Sequence, residues 1–147
     1  MKELDLQSRI IKEIRAAGGY GSKWASKMQN GKPDLILALR PYGIFVAECK
    51  LENRASLEGI RHAPIPVKTT QIQRGELRAI ESGGGIALVF VYVQTPTVGQ
   101  LYALPSDAKE IRCEGDYCKT GTKTTKIDLK VPELLAEYFG KYARRQG

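Results

Sequence analysis

Two short motifs near the start of the chain carry residues whose types and spacing could do chemistry. The first ends in Pro33-Asp34, and the second is Glu48 followed two residues later by Lys50. Each motif lies on an apolar, strand-like run, and residues 40–43 between the runs have the composition of a turn, which predicts a β-hairpin. Because side chains alternate along a strand, Glu48 and Lys50 leave the same face, and an antiparallel return can bring Asp34 beside them.

These three side chains suggest metal chemistry. Two carboxylates and an ammonium on an apolar hairpin cost roughly several kcal/mol unless something compensates them. A divalent cation held by Asp34 and Glu48 is the natural compensation, since Mg²⁺ prefers oxygen ligands. Lys50 could then orient or deprotonate a water on that cation. The alternative is a surface hairpin whose charges face water, but the run Ile44-Phe45-Val46-Ala47 suggests burial on both faces.

Composition favours one soluble domain with an anionic partner. The 147 residues are most simply a single domain, 1–147, and Lys and Arg exceed Asp and Glu by 23 to 16, a net charge of +7. A basic surface suits a polyanion, most commonly nucleic acid, although charge alone leaves open a basic protein without such a partner. No signal peptide and no apolar run of membrane length is present, so we expect a cytoplasmic protein that does not bind membranes.

The cysteines do not indicate a zinc site. Cys113 and Cys118 lie close in sequence, but the only histidine, His62, is far from them. Reduced thiols are favoured over a disulfide between the two. Cys49 lies within the Glu-x-Lys motif and is expected to be a small buried hydrophobe.

The remaining pattern predicts the elements that position these residues. A helix over 3–17 is followed by a polar loop over 20–32, the hairpin over 34–50 and an aperiodic segment over 51–68. A second helix is capped by Thr69 or Thr70 and ends near Ser82, and strands follow at 86–93, 100–104 and 126–129 before a helix that starts near Pro132. The buried face of the first helix is predicted to be Leu4, Gln7, Ile10, Ile11, Ile14 and Ala17.

Pro-Asp, a short spacer and Glu-x-Lys on consecutive strands after an amphipathic helix resemble the PD-(D/E)xK nuclease superfamily. The order of elements resembles that superfamily's α-β-β-β-α-β core. The resemblance implies an α/β fold with a restriction-endonuclease-like core, in which helices flank a central mixed β-sheet.

Most of the chain resembles archaeal-type Holliday junction resolvases, which are small, basic, dimeric members of this superfamily. Gln7 stands where that family has a helical Glu, and Glu3, one turn earlier, is the alternative; we expect Gln7 to hold the position and Glu3 to matter less. Ser26 matches the family's loop serine, and Gln73, or else Gln71, matches its helical glutamine. Each of these could instead be an ordinary polar residue of a core edge, loop or helix.

The resemblance implies a magnesium-dependent endonuclease, with Mn²⁺ as a substitute. Asp34, Glu48 and the Cys49 backbone carbonyl would hold one or two ions, and Lys50 would position the attacking water. A homodimer would cut opposed strands of a four-way DNA junction. The predicted phosphate contacts are Lys23, Lys27, Lys32, Arg54 and Arg61. Two alternatives stay open: a related phage-type or restriction-like endonuclease acting on other DNA, or a DNA-binding module that has lost catalysis, to which the Gln7 substitution points.

Overall fold

The computed structural model describes residues 1–24, 31–56, 64–111, 118–123 and 129–142. The helices in these ranges are α1 (Glu3–Ala16), α2 (Gln71–Ser82) and α3 (Val131–Tyr142). The strands are β1 (Tyr20–Lys23), β2 (Leu35–Leu39), β3 (Gly43–Asn53), β4 (Ile65–Pro66), β5 (Ala87–Gln94), β6 (Val98–Pro105), β7 (Glu110–Ile111) and β8 (Cys118–Lys123).

Six of the strands form one mixed sheet in the order β1-β2-β3-β5-β6-β8. β3 and β5 run parallel, and all other neighbours in this sheet run antiparallel. α2 connects β3 to β5 and packs with the apolar residues of one sheet face, whereas α1 and α3 pack on the other. The prediction of an α/β fold with a central mixed sheet flanked by helices is therefore confirmed.

The buried face of α1 differs from the predicted one at its start. The buried side chains are Leu6, Gln7, Ile10 and Ile14. Leu4 is 63% exposed and Ala17, which follows the helix, is also exposed, so both were wrongly assigned to this face. At about 100° per residue, Leu4 points well away from the stripe centred on Ile10 and Ile14, whereas Glu3 falls on that stripe. The register of α1 therefore directs Glu3 toward the sheet.

β1 lies in a stretch that was predicted to be a loop. Its sequence, Tyr-Gly-Ser-Lys, has no apolar alternation, and it forms because β2 offers a free edge for antiparallel pairing. Gly21 allows α1 to cross closely over this strand, since a Cβ there would lie 3.3 Å from the Cα of Ile11 and 3.2 Å from Cδ2 of Leu37. The close packing of α1 on β1 therefore requires a residue without a side chain at this position. The pattern of apolar residues in the sequence does not indicate such a requirement.

The predicted hairpin is confirmed as β2 and β3, with Leu35 opposite Ala47 and Leu39 opposite Gly43. β3 continues beyond the prediction to Asn53 and pairs with β5 from Val46 to Asn53. β5 is buried on both faces, which explains its uninterrupted apolar sequence.

The later part of the sheet follows the prediction less closely. β6 extends beyond both ends of the predicted strand, and β4 and β7 form a separate antiparallel ribbon that the aperiodic segment did not indicate. β8 lies in a Gly-, Lys- and Thr-rich stretch that was not predicted to form a strand, because it lacks apolar alternation. The strand predicted over 126–129 falls almost entirely outside the described residues. In the described ranges, every helix is too short or too polar to cross a bilayer.

Candidate active site

The candidate site lies beside the start of β2, where β3 continues past it on that side. Asp34 immediately precedes β2, and extending the register from Leu35 and Ala47 puts it opposite Glu48. The Asp34 carboxylate folds over the open edge of β3, where its Oδ2 accepts the backbone N–H of Cys49 at 2.8 Å. The carboxylate thus takes the place of the missing strand partner. We call Asp34, Glu48 and Lys50 the carboxylate site.

Glu48 is held deep in the sheet. It pairs with Val89 of β5 on the face that α2 covers, and only 1% of it is exposed. Its Oε1 accepts a hydrogen bond from Nε2 of Gln73 at 3.1 Å. Its Oε2 is buried and accepts no hydrogen bond from the described residues. A buried carboxylate oxygen without a donor is costly, and a bound cation is the usual way in which proteins offset such a cost.

The electrostatics of Glu48 reflect this incomplete compensation. The pKa of its carboxyl is raised to about 9, mainly by burial and in smaller part by a hydrogen bond with Asp34 and the charge of Asp34. Lys50 acts in the opposite direction, and Glu3 adds a smaller increase. With a pKa of about 9, the Glu48 carboxyl keeps its proton near neutral pH when no metal is bound. A divalent cation would replace that proton.

Cys49 contributes its backbone. Its side chain is buried on the α1 side, as predicted, where burial raises the pKa of the thiol. Its N–H points to Asp34, and the N–H and C=O of a strand residue point the same way, so its carbonyl also faces the open edge of β3. Continued antiparallel register sets Cys49 opposite Pro33, which has no N–H to donate to that carbonyl. The carbonyl is therefore available as a ligand.

Lys50 and Glu3 border the two central carboxylates. Lys50 follows Glu48 by two residues on the same face and forms no ion pair at contact distance in the described part of the chain. Glu3 enters from the start of α1, where partial burial raises the pKa of its carboxyl, Lys50 lowers it and Asp34 raises it. Glu3 thus lies within electrostatic range of the carboxylate site.

The position of Glu3 follows from how α1 begins. Nε2 of Gln94, at the end of β5, donates to the Met1 carbonyl at 3.3 Å and to Oδ1 of Asn53, at the end of β3, at 2.6 Å. The first turn of α1 is therefore fixed beside the end of β3. Gln7, the residue expected to fill this role, is 7% exposed, and its side chain forms no hydrogen bond with a described residue. Glu3 therefore lies within electrostatic range of the carboxylate site, whereas Gln7, one turn further along α1, is buried.

The donor set fits one hard cation. Oε2 of Glu48, the Asp34 carboxylate and the Cys49 carbonyl are oxygen donors of the kind that Mg²⁺ prefers, with water completing the shell. No group of three or more His, Cys, Asp or Glu side chains in the described ranges could hold a metal. The oxygen donors that a cation would meet in the described ranges are two carboxylates and a carbonyl, which would suit Mg²⁺ because this ion usually keeps several waters.

Gln73 connects α2 to the carboxylate site. Its Oε1 accepts the backbone N–H of Thr70 at 2.9 Å, and its own N–H donates to the Thr70 hydroxyl at 3.1 Å, forming a capping box. Since the Gln73 oxygen is used in the cap, its amide N–H₂ is turned toward Glu48. Of the two glutamines considered, Gln73 contacts the site, whereas Gln71 is exposed.

The predicted phosphate contacts fall into separate places. Lys32 pairs with Glu76 at 3.0 Å, and Arg54 pairs with Glu52 at 3.3 Å, near the same face of the sheet as the carboxylate site. Lys23 shares a row with Leu35 and faces the α1 side, away from the carboxylates. Ser26, Lys27 and Arg61 lie outside the described residues.

Sequence reasoning missed the residues that surround the site on the α2 face. Glu52 continues the alternation of Glu48 and Lys50, and Lys68 pairs with it at 3.2 Å. Trp24 continues the β1–β2 ladder by donating its N–H to the Asp34 carbonyl at 2.9 Å. The period-2 spacing from Glu48 to Glu52 was a usable signal for the first, but Trp24 required the unpredicted strand β1.

No family model matches the chain, and no curated protein matches it either.

Proposed function

We propose that this protein is a metal-dependent endonuclease of the PD-(D/E)xK type with a restriction-endonuclease-like core. The observation that carries the proposal is the buried Glu48 carboxylate, which lies beside Asp34 and has one oxygen without a hydrogen-bond donor among the described residues. Lys50 on the same face supports it. Apart from the short β4, the order α1-β1-β2-β3-α2-β5 also matches the α-β-β-β-α-β arrangement of that core.

Asp34, Glu48 and the Cys49 carbonyl would hold Mg²⁺ or Mn²⁺. When bound, the cation lowers the pKa of a coordinated water and offsets charge on the scissile phosphate. Gln73 keeps Glu48 oriented through Oε1 and leaves Oε2 for the cation. The Lys50 ammonium orients the attacking water or stabilises the charge that grows on the phosphate oxygens. Water adds to phosphorus, and the P–O bond to the departing strand end breaks.

The substrate that we favour is a four-way DNA junction, cut by a homodimer as a Holliday junction resolvase cuts it. The net charge of +7 supports a DNA substrate, and the motif resemblance supports the junction. Two sites related by a two-fold axis would address two opposed strands. Recognition would depend on phosphates and branch shape, with Lys32 and Arg54 as described candidates for phosphate contacts.

Nicking of supercoiled plasmid tests the chemistry. We expect cleavage with Mg²⁺ or Mn²⁺, none in excess EDTA, and binding without turnover in Ca²⁺. Full activity in EDTA would contradict the metal site, and binding without cleavage in any metal would indicate a DNA-binding module. Cleavage of a four-way junction, compared with a linear duplex of the same sequence, tests the substrate. Equal rates on both would favour a related endonuclease over a resolvase.

A further inference from the structure

Trp24 shares a row of the sheet with the carboxylate site. Lys23 pairs with Leu35, and the hydrogen bond from the Trp24 N–H to the Asp34 carbonyl continues that ladder by one residue. Trp24, Asp34 and Glu48 therefore occupy neighbouring positions on three adjacent segments of the sheet and face the α2 side. With strands about 4.8 Å apart, Trp24 begins roughly 10 Å from Glu48.

The environment of Trp24 differs from that of a core tryptophan. The indole is only partly buried, packing its inner part against the apolar cluster under α2. Its ring N–H donates to no other described residue, although a buried tryptophan usually finds a partner for this group. Nζ of Lys32 lies over the ring, 6.0 Å from its centroid. An aromatic ring with a cation over it therefore borders the carboxylate site.

The Lys32 contact is suited to exchange. Nζ of Lys32 lies 3.0 Å from Oε2 of Glu76, and 30% of the Lys32 side chain and 31% of the Glu76 side chain are exposed. Exposed pairs of this kind contribute only about 0–1 kcal/mol, so a phosphate can replace the carboxylate. Nearby on α2, Ile72 is 58% exposed and packs over Gly31. We call Trp24, Lys32 and Ile72 the stacking rim.

We propose that Trp24 stacks on an unpaired nucleobase next to the scissile phosphate, while Lys32 exchanges Glu76 for a phosphate of the same strand. The inference rests on the proposed nuclease function and deepens it by naming the substrate class, DNA in which a nucleotide beside the cut is unpaired or leaves its stack at low cost. A base in continuous duplex is already stacked on both faces, and extruding it costs about a few kcal/mol. At a gap or branch point that cost is smaller, so Trp24 favours such substrates.

The test uses Trp24 itself, since it is the only tryptophan of the chain. In EDTA, so that no strand is cut, the full chain is titrated with a four-way junction, a duplex with a short single-stranded gap and a continuous duplex, and anisotropy measures binding in parallel. We expect the junction and the gapped duplex to quench Trp24 fluorescence at saturation and the continuous duplex to leave it unchanged. Equal quenching by all three, or none by any DNA that binds, overturns the proposal.

Variants provide the second readout. Trp24→Leu keeps an apolar side chain but removes the ring, and should weaken binding of gapped DNA roughly 5- to 150-fold, the equivalent of about 1–3 kcal/mol per stacked base. Trp24→Phe should retain most of the affinity. Tyr20→Leu is the matched control, because Tyr20 is a 57% exposed aromatic on the same face of β1, at the end away from Asp34. Its binding should equal that of the wild type.

The two proposals can fail separately. If Trp24→Leu binds gapped DNA as well as the wild type does, stacking is wrong even if the enzyme cuts DNA normally. If no DNA is cut in any metal but gapped DNA still quenches Trp24, the nuclease proposal is wrong and the stacking rim stands. Should Trp24→Leu fail to fold, the wild-type titration and Trp24→Phe still decide.

Discussion

Glu48 and Glu52 lie on the same strand and the same face of the sheet, yet their surroundings are opposite. Both oxygens of Glu52 have cationic partners, Arg54 at 3.3 Å and Lys68 at 3.2 Å. Glu48 has an amide donor on one oxygen, none on the other, and a second carboxylate beside it. The two residues are of the same type and lie on the same face of the same strand. Their partners alone therefore distinguish a neutralised carboxylate, Glu52, from one that can bind a cation, Glu48.

The comparison also separates two kinds of cost. The cations paired with Glu52 reach the surface, where 66% of the Lys68 and 33% of the Arg54 side chain is exposed, so solvent screens these pairs although Glu52 itself is 12% exposed. Glu48 is buried among groups that disfavour its charge, an arrangement that destabilises the folded protein in the absence of a cation. Such a local cost is typical of a site selected for binding.

The largest expected effect concerns the central carboxylates. Asp34→Asn and Glu48→Gln should each reduce cleavage by more than the roughly 10- to 100-fold loss typical of outer partners of a metal, because they remove ligands. Glu52→Gln, on the same strand and face, should remain within a few-fold of the wild type. Initial rates of plasmid nicking in Mg²⁺ measure the difference. Equal losses in Glu48→Gln and Glu52→Gln would show that the contrast between the two carboxylates has no functional meaning.

A smaller effect is expected when the donor to Glu48 is removed. Gln73→Leu should raise the Mg²⁺ concentration needed for half-maximal cleavage by about 10- to 100-fold, since Oε1 of Glu48 loses its orienting hydrogen bond. Thr70→Ala is the control, because it weakens the helix cap by about 1 kcal/mol but leaves the contact between Gln73 and Glu48. If both variants change only thermal stability, Gln73 is a capping residue and no more.

Glu3 should have a weaker effect than Gln73. It lies within electrostatic range of Asp34 and Lys50 but does not complete a group of three metal-holding side chains in the described ranges. Glu3→Gln should therefore raise the Mg²⁺ requirement several-fold without abolishing cleavage, an effect that salt weakens. Gln7→Glu, one turn further along α1, should stay active. If Gln7→Ala loses activity and Glu3→Gln does not, Gln7 is the residue of α1 that acts at the site, as the motif resemblance implied.

The hairpin and its carboxylates could be predicted from the sequence because each depends on local pattern. Short apolar runs specified β2 and β3, and their antiparallel return brought Asp34 to Glu48. The choice between Glu3 and Gln7 could not be made in this way, since it depends on the rotation of α1 and on the anchoring of Met1 by Gln94, 93 residues away. Trp24 was missed for a related reason, because β1 owes its existence to pairing rather than to its own residues.

The smallest expected effect is on stability without metal, and its sign distinguishes the two glutamates again. The pKa of Glu48 is about 9 in the folded protein, against an ordinary value of 4.5. Between these values the folded state keeps a proton that the unfolded state releases. The stabilisation is therefore fully present below about pH 4.5 and is lost as the pH rises toward 9.

In EDTA, we expect the melting temperature of the wild type to fall as the pH rises through this window. Glu48→Gln should flatten the dependence and raise the melting temperature near pH 8 by a few degrees, since about 1 kcal/mol corresponds to roughly 2–4 °C or somewhat more in a domain of this size. Glu52→Gln should keep the wild-type slope. Saturating Mg²⁺ should flatten the curves of the wild type and of Glu52→Gln, because the cation replaces the proton on Glu48. Calorimetry of the three proteins across this pH range, with and without Mg²⁺, measures how the melting temperature depends on pH. If Glu48→Gln leaves that dependence unchanged, another group carries the proton.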